Sequence, residues 1–449
     1  MRVIIIGAGE VGWFLAQRLG AEGIDTAMVE IDAGLADAAS AELDVQVVHG
    51  SGTSPLDLLA AGVERADMVA AVTQNDETNL VACLLAKAYG VETTIVRLQS
   101  AELRGPEGAE LLRLAGADVV IDPDADTADE IYELLHTTGA DEVYPMAGGE
   151  LAVIGADVTE TSPLANRYLA EIGRTMGPDW NFLFGAVTRN GTTVVPRGDQ
   201  QLLPGDHVRV VCKSSARQEL LDLLGVEGTN ARRVMILGGG AVGARVATRL
   251  RDEGTEVVLI ERDPERAEDL ARKLKGVVVV KGEVTDTDLL LEESVGRMDA
   301  VIAATGEDGS NALACAFAIS EGARYTIVVL HSLALLPLVR RFGVDAALSP
   351  RTASANAVLR RVRGDAAAVN TFLESDSEVD ELEIRAGTKA DGSVVADLHL
   401  PHDILIGAVT RPDGGAEIVR GRTKLRAGDH VVVFGRPRAI AASKHLFVG

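Results

Sequence analysis

Short uninterrupted runs of Val, Ile, Leu and Ala alternate along this chain with longer stretches whose apolar residues recur at helical spacing. In the first third the apolar runs fall near 2–6, 25–30, 45–48, 68–72, 93–98 and 118–121. Helical segments such as 10–22 and 76–89 lie between them. This alternation predicts right-handed βαβ units and a parallel sheet. Strands that are apolar throughout, rather than at every second residue, predict a sheet covered on both faces.

The pattern then repeats. VIIIGAGEVG (3–12) returns as VMILGGGAVG (234–243). VTQNDETNLVACLLA returns as ATGEDGSNALACAFA, and TTIVRLQS as YTIVVLHS. Each sheet is followed by shorter strands broken by turn residues, and these repeat as well. GAVTR occurs at 185–189 and 407–411, and GDHV at 205–208 and 428–431. The predicted fold class is α/β, with two tandem parallel-sheet domains, each followed by a small α+β module. The segments are 1–136, 141–224, 232–365 and 376–449. Linkers are expected near 137–145, 225–232 and 365–380. The last carries Glu374, Asp376, Glu378, Asp380 and Glu381 and reads as a solvated hinge.

Both glycine turns follow a strand and open a helix, the context that makes a GxGxxG motif specific for dinucleotides in a Rossmann-like sheet. Gly7 permits the tight turn, Gly9 lets a pyrophosphate approach the backbone, and Gly12 lets the helix pack closely on its strand. Ala8, Glu10 and Val11 complete the loop. The helix that starts here aims free N–H groups and a positive dipole end at the phosphates. Glu30 ends the second strand, where a carboxylate accepts hydrogen bonds from a ribose and repels a 2′-phosphate. NAD(H) is therefore favoured over NADP(H).

The second copy offers Gly238, Gly239, Gly240, Ala241, Val242 and Gly243 with Glu261. Gly239 is expected to add freedom in the turn, and Arg262 stands where an arginine can reach a 2′-phosphate. Two more loops converge on each crevice. Gly50 and Ser51 follow strand three, and Thr73 and Gln74 follow strand four, with Thr305 opposite in the second copy. Helix capping by Asn75 or Asp76 explains these polar residues equally well. Arg97 ends strand five and can neutralise phosphate; its counterpart is Val329, so the two sites differ chemically.

Composition narrows the classes. The formal net charge of −24 repels nucleic acid. Lysine is scarce beside arginine, as in proteins of a salty cytoplasm or a high-GC genome. No stretch reaches the ~18 apolar residues of a membrane span, and the first apolar run is too short for a signal peptide, so a soluble cytoplasmic protein is expected. Cys83, Cys212 and Cys315 lie far apart without a CxxC pair, and Cys83 and Cys315 read as small buried helix residues. His399 and His402 have metal-like spacing but flank a proline in a turn, and no metal site is predicted. His207 and His430 read as turn or packing residues. No P-loop, no GxSxG elbow and no Tyr-xxx-Lys pair is present.

The two glycine turns with their acids, the VTQNDETNLVAC block, and IGAVTR with AGDHV near the C-terminus together resemble the TrkA family, the cytoplasmic regulatory subunits of Trk potassium uptake systems. The resemblance covers essentially the whole chain and rests most on the order of its segments. It implies two tandem RCK units, each a Rossmann-like N-subdomain with a small C-subdomain. It also implies a non-enzymatic protein that binds NAD(H), and adenine nucleotides such as ATP and ADP, in the N-subdomains. The implied partners are a membrane potassium-transporting Trk subunit, through which the protein sits at the inner face of the membrane, and further copies of itself in a dimer or tetramer ring. By position, Gly7 to Gly12, Glu30, Thr73, Gln74 and Arg97 form the first site. Gly238 to Gly243, Glu261, Thr305 and Val329 form the second. Glu10 in the first loop is expected to disfavour a triphosphate there. The helices near 125–136 and 352–364 are candidate dimer surfaces. Two rival readings remain: an NAD-dependent dehydrogenase with duplicated cofactor domains, and a regulatory subunit of a different potassium channel or antiporter.

Overall fold

The computed structural model describes residues 1–176, 180–226, 228, 231–363, 366–371 and 377–448. The first sheet comprises β1 (Arg2–Ile6), β2 (Asp25–Glu30), β3 (Gln46–His49), β4 (Met68–Ala71), β5 (Thr93–Arg97) and β6 (Val119–Ile121). They lie in the order β3-β2-β1-β4-β5-β6, all parallel. The chain reverses direction across the sheet between β1 and β4, and a crevice opens there at the carboxyl ends of the strands. Val3, Ile4 and Ile5 are fully buried, as continuous apolar strands require.

The first small module follows with β7 (Glu142–Met146), β8 (Leu151–Asp157), β9 (Phe182–Arg189), β10 (Thr192–Val194) and β11 (His207–Lys213). These form an antiparallel sheet in the order β10-β9-β11-β8-β7. The second parallel sheet repeats the first with β12 (Arg233–Leu237), β13 (Glu256–Glu261), β14 (Val278–Lys281), β15 (Ala300–Ala303), β16 (Thr326–Val329) and β17 (Ala346–Leu348), ordered β14-β13-β12-β15-β16-β17. After β18 (Ala366–Thr371) come β19 (Glu378–Glu383), β20 (Ile404–Thr410), β21 (Ala416–Ile418) and β22 (His430–Gly435). Their antiparallel pairing runs β19-β22-β20-β21.

Two expected linkers are strands instead. The 137–145 segment contains most of β7, whose Glu142 is buried against Arg209 through bonds of 2.6 and 2.9 Å. The 365–380 segment contains β18 and the start of β19. Glu378, Asp380 and Glu381 are buried there, because β19 pairs with β22 along its whole length. Charge density suggested a hinge, and ladder formation overrides it. Glu374 and Asp376 lie outside the described residues, as do 227, 229 and 230 of the expected 225–232 linker.

The GAVTR repeat has a steric origin. A Cβ on Gly185 of β9 would lie 2.4 Å from the Phe434 ring, and one on Gly407 of β20 would lie 2.7 Å from Val211. Both glycines sit beside register shifts in their pairing with β11 and β22.

The chain divides into two compact units. One holds residues 1–123, 351–371 and 436–443; the other holds 124–350, 372–435 and 444–449. The helices after the sixth strand of each sheet are thus exchanged. Residues 124–135 pack on the helix Ala241–Asp252. Ala128, Ile131, Leu134 and Leu135 share its apolar cluster, Asp129 meets Arg249 at 2.7 Å, and the Arg249 guanidinium stands 3.3 Å from the centre of the Tyr132 ring. Residues 351–363 belong with the first sheet, where Arg351 forms an ion pair with Glu10. Cys83 and Cys315 are buried as anticipated, and burial pushes both thiols up to about 12.

Asp141, just before β7, ties parts of the larger unit together. It meets His207 Nε2 at 2.9 Å and Arg340 at 3.1 Å. Burial alone would raise the Asp141 carboxyl, but the His207 and Arg340 charges hold it well below its usual range. Burial likewise works against a charged His207, and Asp141 outweighs it, so the imidazole is raised above its usual range. A raised histidine contributes stability fully below its unfolded value and loses it as pH climbs through the folded value. Asp141→Asn should therefore lower the melting temperature, at a cost of about 3 kcal/mol for breaking a buried pair. Melting temperature should fall above about pH 6.5 in the wild type and stay flatter in the variant. Thermal melts across that range check both.

Candidate functional site

Both glycine turns are built alike. Gly7 has φ +105° and Gly238 φ +108°, a conformation that demands glycine. A Cβ on Gly12 would lie 1.8 Å from the Gly7 carbonyl oxygen, and one on Gly243 2.0 Å from that of Gly238. The helix start is therefore pressed against its own strand exit. Gly9 differs, since a Cβ there would meet nothing within 4 Å and its φ is an ordinary −63°. Among the described residues none lies close enough to require glycine there, and the open space is compatible with close approach from outside. Gly240 has equally open space, its nearest neighbour being the Ala304 carbonyl oxygen at 3.8 Å.

The helices Glu10–Ala21 and Ala241–Asp252 begin without a side-chain cap. Five neighbouring helices are capped by Asp32, Ser54, Asn75, Asp263 and Asp286, while Asp308–Glu321 also begins without a side-chain cap. First-turn N–H groups left without such a partner suit an anion. Beside each turn stands the strand-two acid. Glu30 accepts from the Ala8 N–H at 2.5 Å and the Asp32 N–H at 2.8 Å. Glu261 accepts from the Gly239 and Asp263 N–H groups, both at 2.9 Å. Both carboxylates are largely buried and hold the glycine loop by its own backbone.

Other predicted residues serve the scaffold more than the crevice. Val11, Val242, Ala8 and Val329 are buried and offer only backbone. Asp57 receives the Ser51 N–H at 2.8 Å and would be struck by any Cβ on Gly50. The Ser51 hydroxyl meets Thr53. Gln74 is exposed, and Asn75 caps the next helix. Arg97 is buried and donates to the Thr73 carbonyl at 3.1 Å, bracing the loop rather than standing open in the crevice.

Glu10 is not a bare charge, because Arg351 pairs with it. Gly239 does not supply turn freedom either. A Cβ there would come within 2.4 Å of Leu270 and 2.9 Å of Glu261. The first copy has Ala8 with the small Ala39 in the matching places, so bulk has been exchanged between loop and helix.

The sequence reading missed the two buried asparagines. Asn79 accepts from the Thr73 N–H and hydroxyl and donates to the Thr73 and Arg97 carbonyls. Asn311 does the same for Thr305 and Val329. Each locks the strand-four loop to the end of strand five. The shared asparagine in NDETN and EDGSN was the available signal. Arg351 lies too far along the chain for any local pattern to reveal it.

In the second crevice Arg262 meets Glu307 at 2.8 Å, and Arg266 Nε donates to the Gly239 carbonyl at 2.6 Å. Among the described residues, the cluster spaced to hold a metal is Asp141, Glu142 and His207. Arg340 and Arg209 already sit against its carboxylates. No described helix is long and apolar enough to cross a membrane.

The TrkA-N domain family matches residues 3–123 and 234–350, and the TrkA-C domain family matches 153–225 and 380–448. A Trk system potassium uptake protein TrkA homolog of Archaeoglobus fulgidus is 36% identical over the full length of both chains. The Trk system potassium uptake protein TrkA of Halomonas elongata is 31% identical, covering 97% of this chain and 95% of its own. Among solved structures, the GsuK RCK domain superposes with TM-score 0.59 at 20% identity, covering 99% of this chain and 94% of that one. The GsuK channel bound to NAD gives 0.58 at 19% identity, covering 99% and 78%. At such identities the structural likeness speaks for the fold.

Gly9→Ala should leave the melting temperature nearly unchanged and abolish most NADH binding at the first site. Gly12→Ala should destabilise the protein by about 3 kcal/mol, the upper range for overpacking. Paired melts and binding isotherms separate the two effects.

Proposed function

This chain belongs to the TrkA family of Trk potassium-uptake proteins, and we propose that it is the nucleotide-sensing regulatory subunit of such a system. The observation that carries this reading is the pair of helix N-termini without side-chain caps, each behind a glycine turn whose second glycine is left open to the outside. NAD(H) is the ligand best suited to the first crevice. Its pyrophosphate lies on the Glu10–Ala21 helix start, and its ribose hydroxyls reach Glu30. ADP and ATP use the same helix start, and with Glu10 paired to Arg351 a triphosphate meets no isolated negative charge there. The named relatives, potassium uptake proteins matched end to end, support a membrane potassium transporter as partner. A ring of copies at the inner face of the membrane belongs to the same proposal.

Regulation is a population shift. A nucleotide bound between the strand-two acid and the strand-four loop favours whichever arrangement keeps those groups at ligand distance. It acts on the transporter only to the extent that its affinity differs between the two arrangements. The protein itself supplies binding and positioning.

One observation favours the dehydrogenase reading. His331, after β16, meets Asp308 at 3.1 Å, an acid–base pair near the second crevice. The first copy has Gln99 in that place. Steady NADH oxidation with a small carbonyl compound would establish the enzyme.

Glu30→Ala should weaken NADH binding at the first site by roughly 1–3 kcal/mol, the range for charged hydrogen bonds. The deciding experiment is potassium flux through the Trk membrane subunit in liposomes, with and without this protein, across NAD, NADH, ATP and ADP. Flux that requires the protein and changes with nucleotide is expected. Flux indifferent to the protein would move it to another transport partner.

A further inference from the structure

The two crevices are edged by opposite chemistry. After Glu30 the first copy has Ile31 and Leu35, both exposed aliphatic side chains. After Glu261 the second copy has Arg262 and Arg266 in the same places. The positive charge at the end of β5, Arg97, has Val329 opposite it in β16. The second copy thus carries cations beside its strand-two acid where the first carries aliphatic side chains.

Arg262 is not idle. Its guanidinium holds Glu307, which begins the strand-four loop helix, and both side chains are more than half exposed. The sheet order gives this ion pair its meaning. Arg262 follows β13 and Glu307 follows β15, with β12 and its glycine turn between them. The ion pair therefore joins the ends of the two strands that flank β12 and its glycine turn, where the strand order reverses. The first copy has Ile31 and Asn75 there, and Asn75 is spent on capping its helix.

We propose that Arg262 is the specificity-determining residue of the second crevice and that Glu307 is its internal competitor: an adenine nucleotide enters by taking the guanidinium from Glu307. This rests on the reading of that crevice as a nucleotide site. A ribose held by Glu261 places its base beside the next residue along the chain, and a planar guanidinium stacks on an aromatic face. Glu307 must let go first.

The test titrates ADP into the full chain and follows hydrogen exchange at the two glycine turns separately, so that each crevice reports its own midpoint. Glu307→Gln removes the competitor with little change in shape. It should lower the second-turn midpoint roughly two- to fivefold, the most that an exposed ion pair is worth. Arg262→Gln should raise that midpoint roughly threefold or more. Neither should move the first-turn midpoint. A second-turn midpoint that is unchanged or raised in Glu307→Gln overturns the proposal, as does an unchanged one in Arg262→Gln, while the nucleotide reading stands. A second turn that ADP protects in no variant, with the first turn responding, overturns the nucleotide reading of that crevice and the proposal with it.

Discussion

The arrangement of each crevice depends on a contact with no room in it. The helix that follows the glycine turn runs so close to the exit of its strand that a single methyl group on Gly12 or Gly243 would sit inside the carbonyl of Gly7 or Gly238. That contact fixes where the helix starts. With the start fixed, the first-turn amides point into the crevice, the strand-two acid reaches a loop N–H, and the strand-four threonine comes to rest beside the turn. The asparagine clamp then holds that threonine to the end of strand five. A looser helix would leave each of these groups in the sequence and none of them in register.

The sequence made the parallel sheets legible almost to the residue, because a strand buried on both faces must be apolar throughout. Strands near 2–6, 25–30 and 93–98 stand at Arg2–Ile6, Asp25–Glu30 and Thr93–Arg97. The glycine turns and both strand-two acids were legible for a related reason, since their spacing is local. What escaped depends on partners far along the chain. β7 hides Glu142 because Arg209 lies against it, and β19 hides Glu378 and Asp380 in a ladder with β22. Glu10 looked like an isolated charge because Arg351, its partner, belongs to the end of the second copy. Gly239 looked like a flexible turn residue when it is the small half of a size exchange with Leu270.

The repeat preserved backbone architecture and released side-chain chemistry. Turn, acid, clamp and buried cysteine recur at matching positions. The edges do not: aliphatic side chains in one copy face arginines in the other, and a buried arginine faces a valine. On the proposed reading, a duplicated scaffold that keeps the turn, acid and clamp while changing the groups around them would retain a common ligand class and vary its preference within that class. This is the physical content of having two crevices in one polypeptide rather than two copies of one.

The helices after the two sixth strands are each grouped with the opposite sheet. A break in the chain between the two halves would therefore not yield two self-sufficient pieces. Each half would carry a helix belonging to its sibling and lack the one belonging to itself. Such halves could complete themselves only by reciprocal loan. Fusion into one chain makes that loan permanent and frees the two partners to become different from each other.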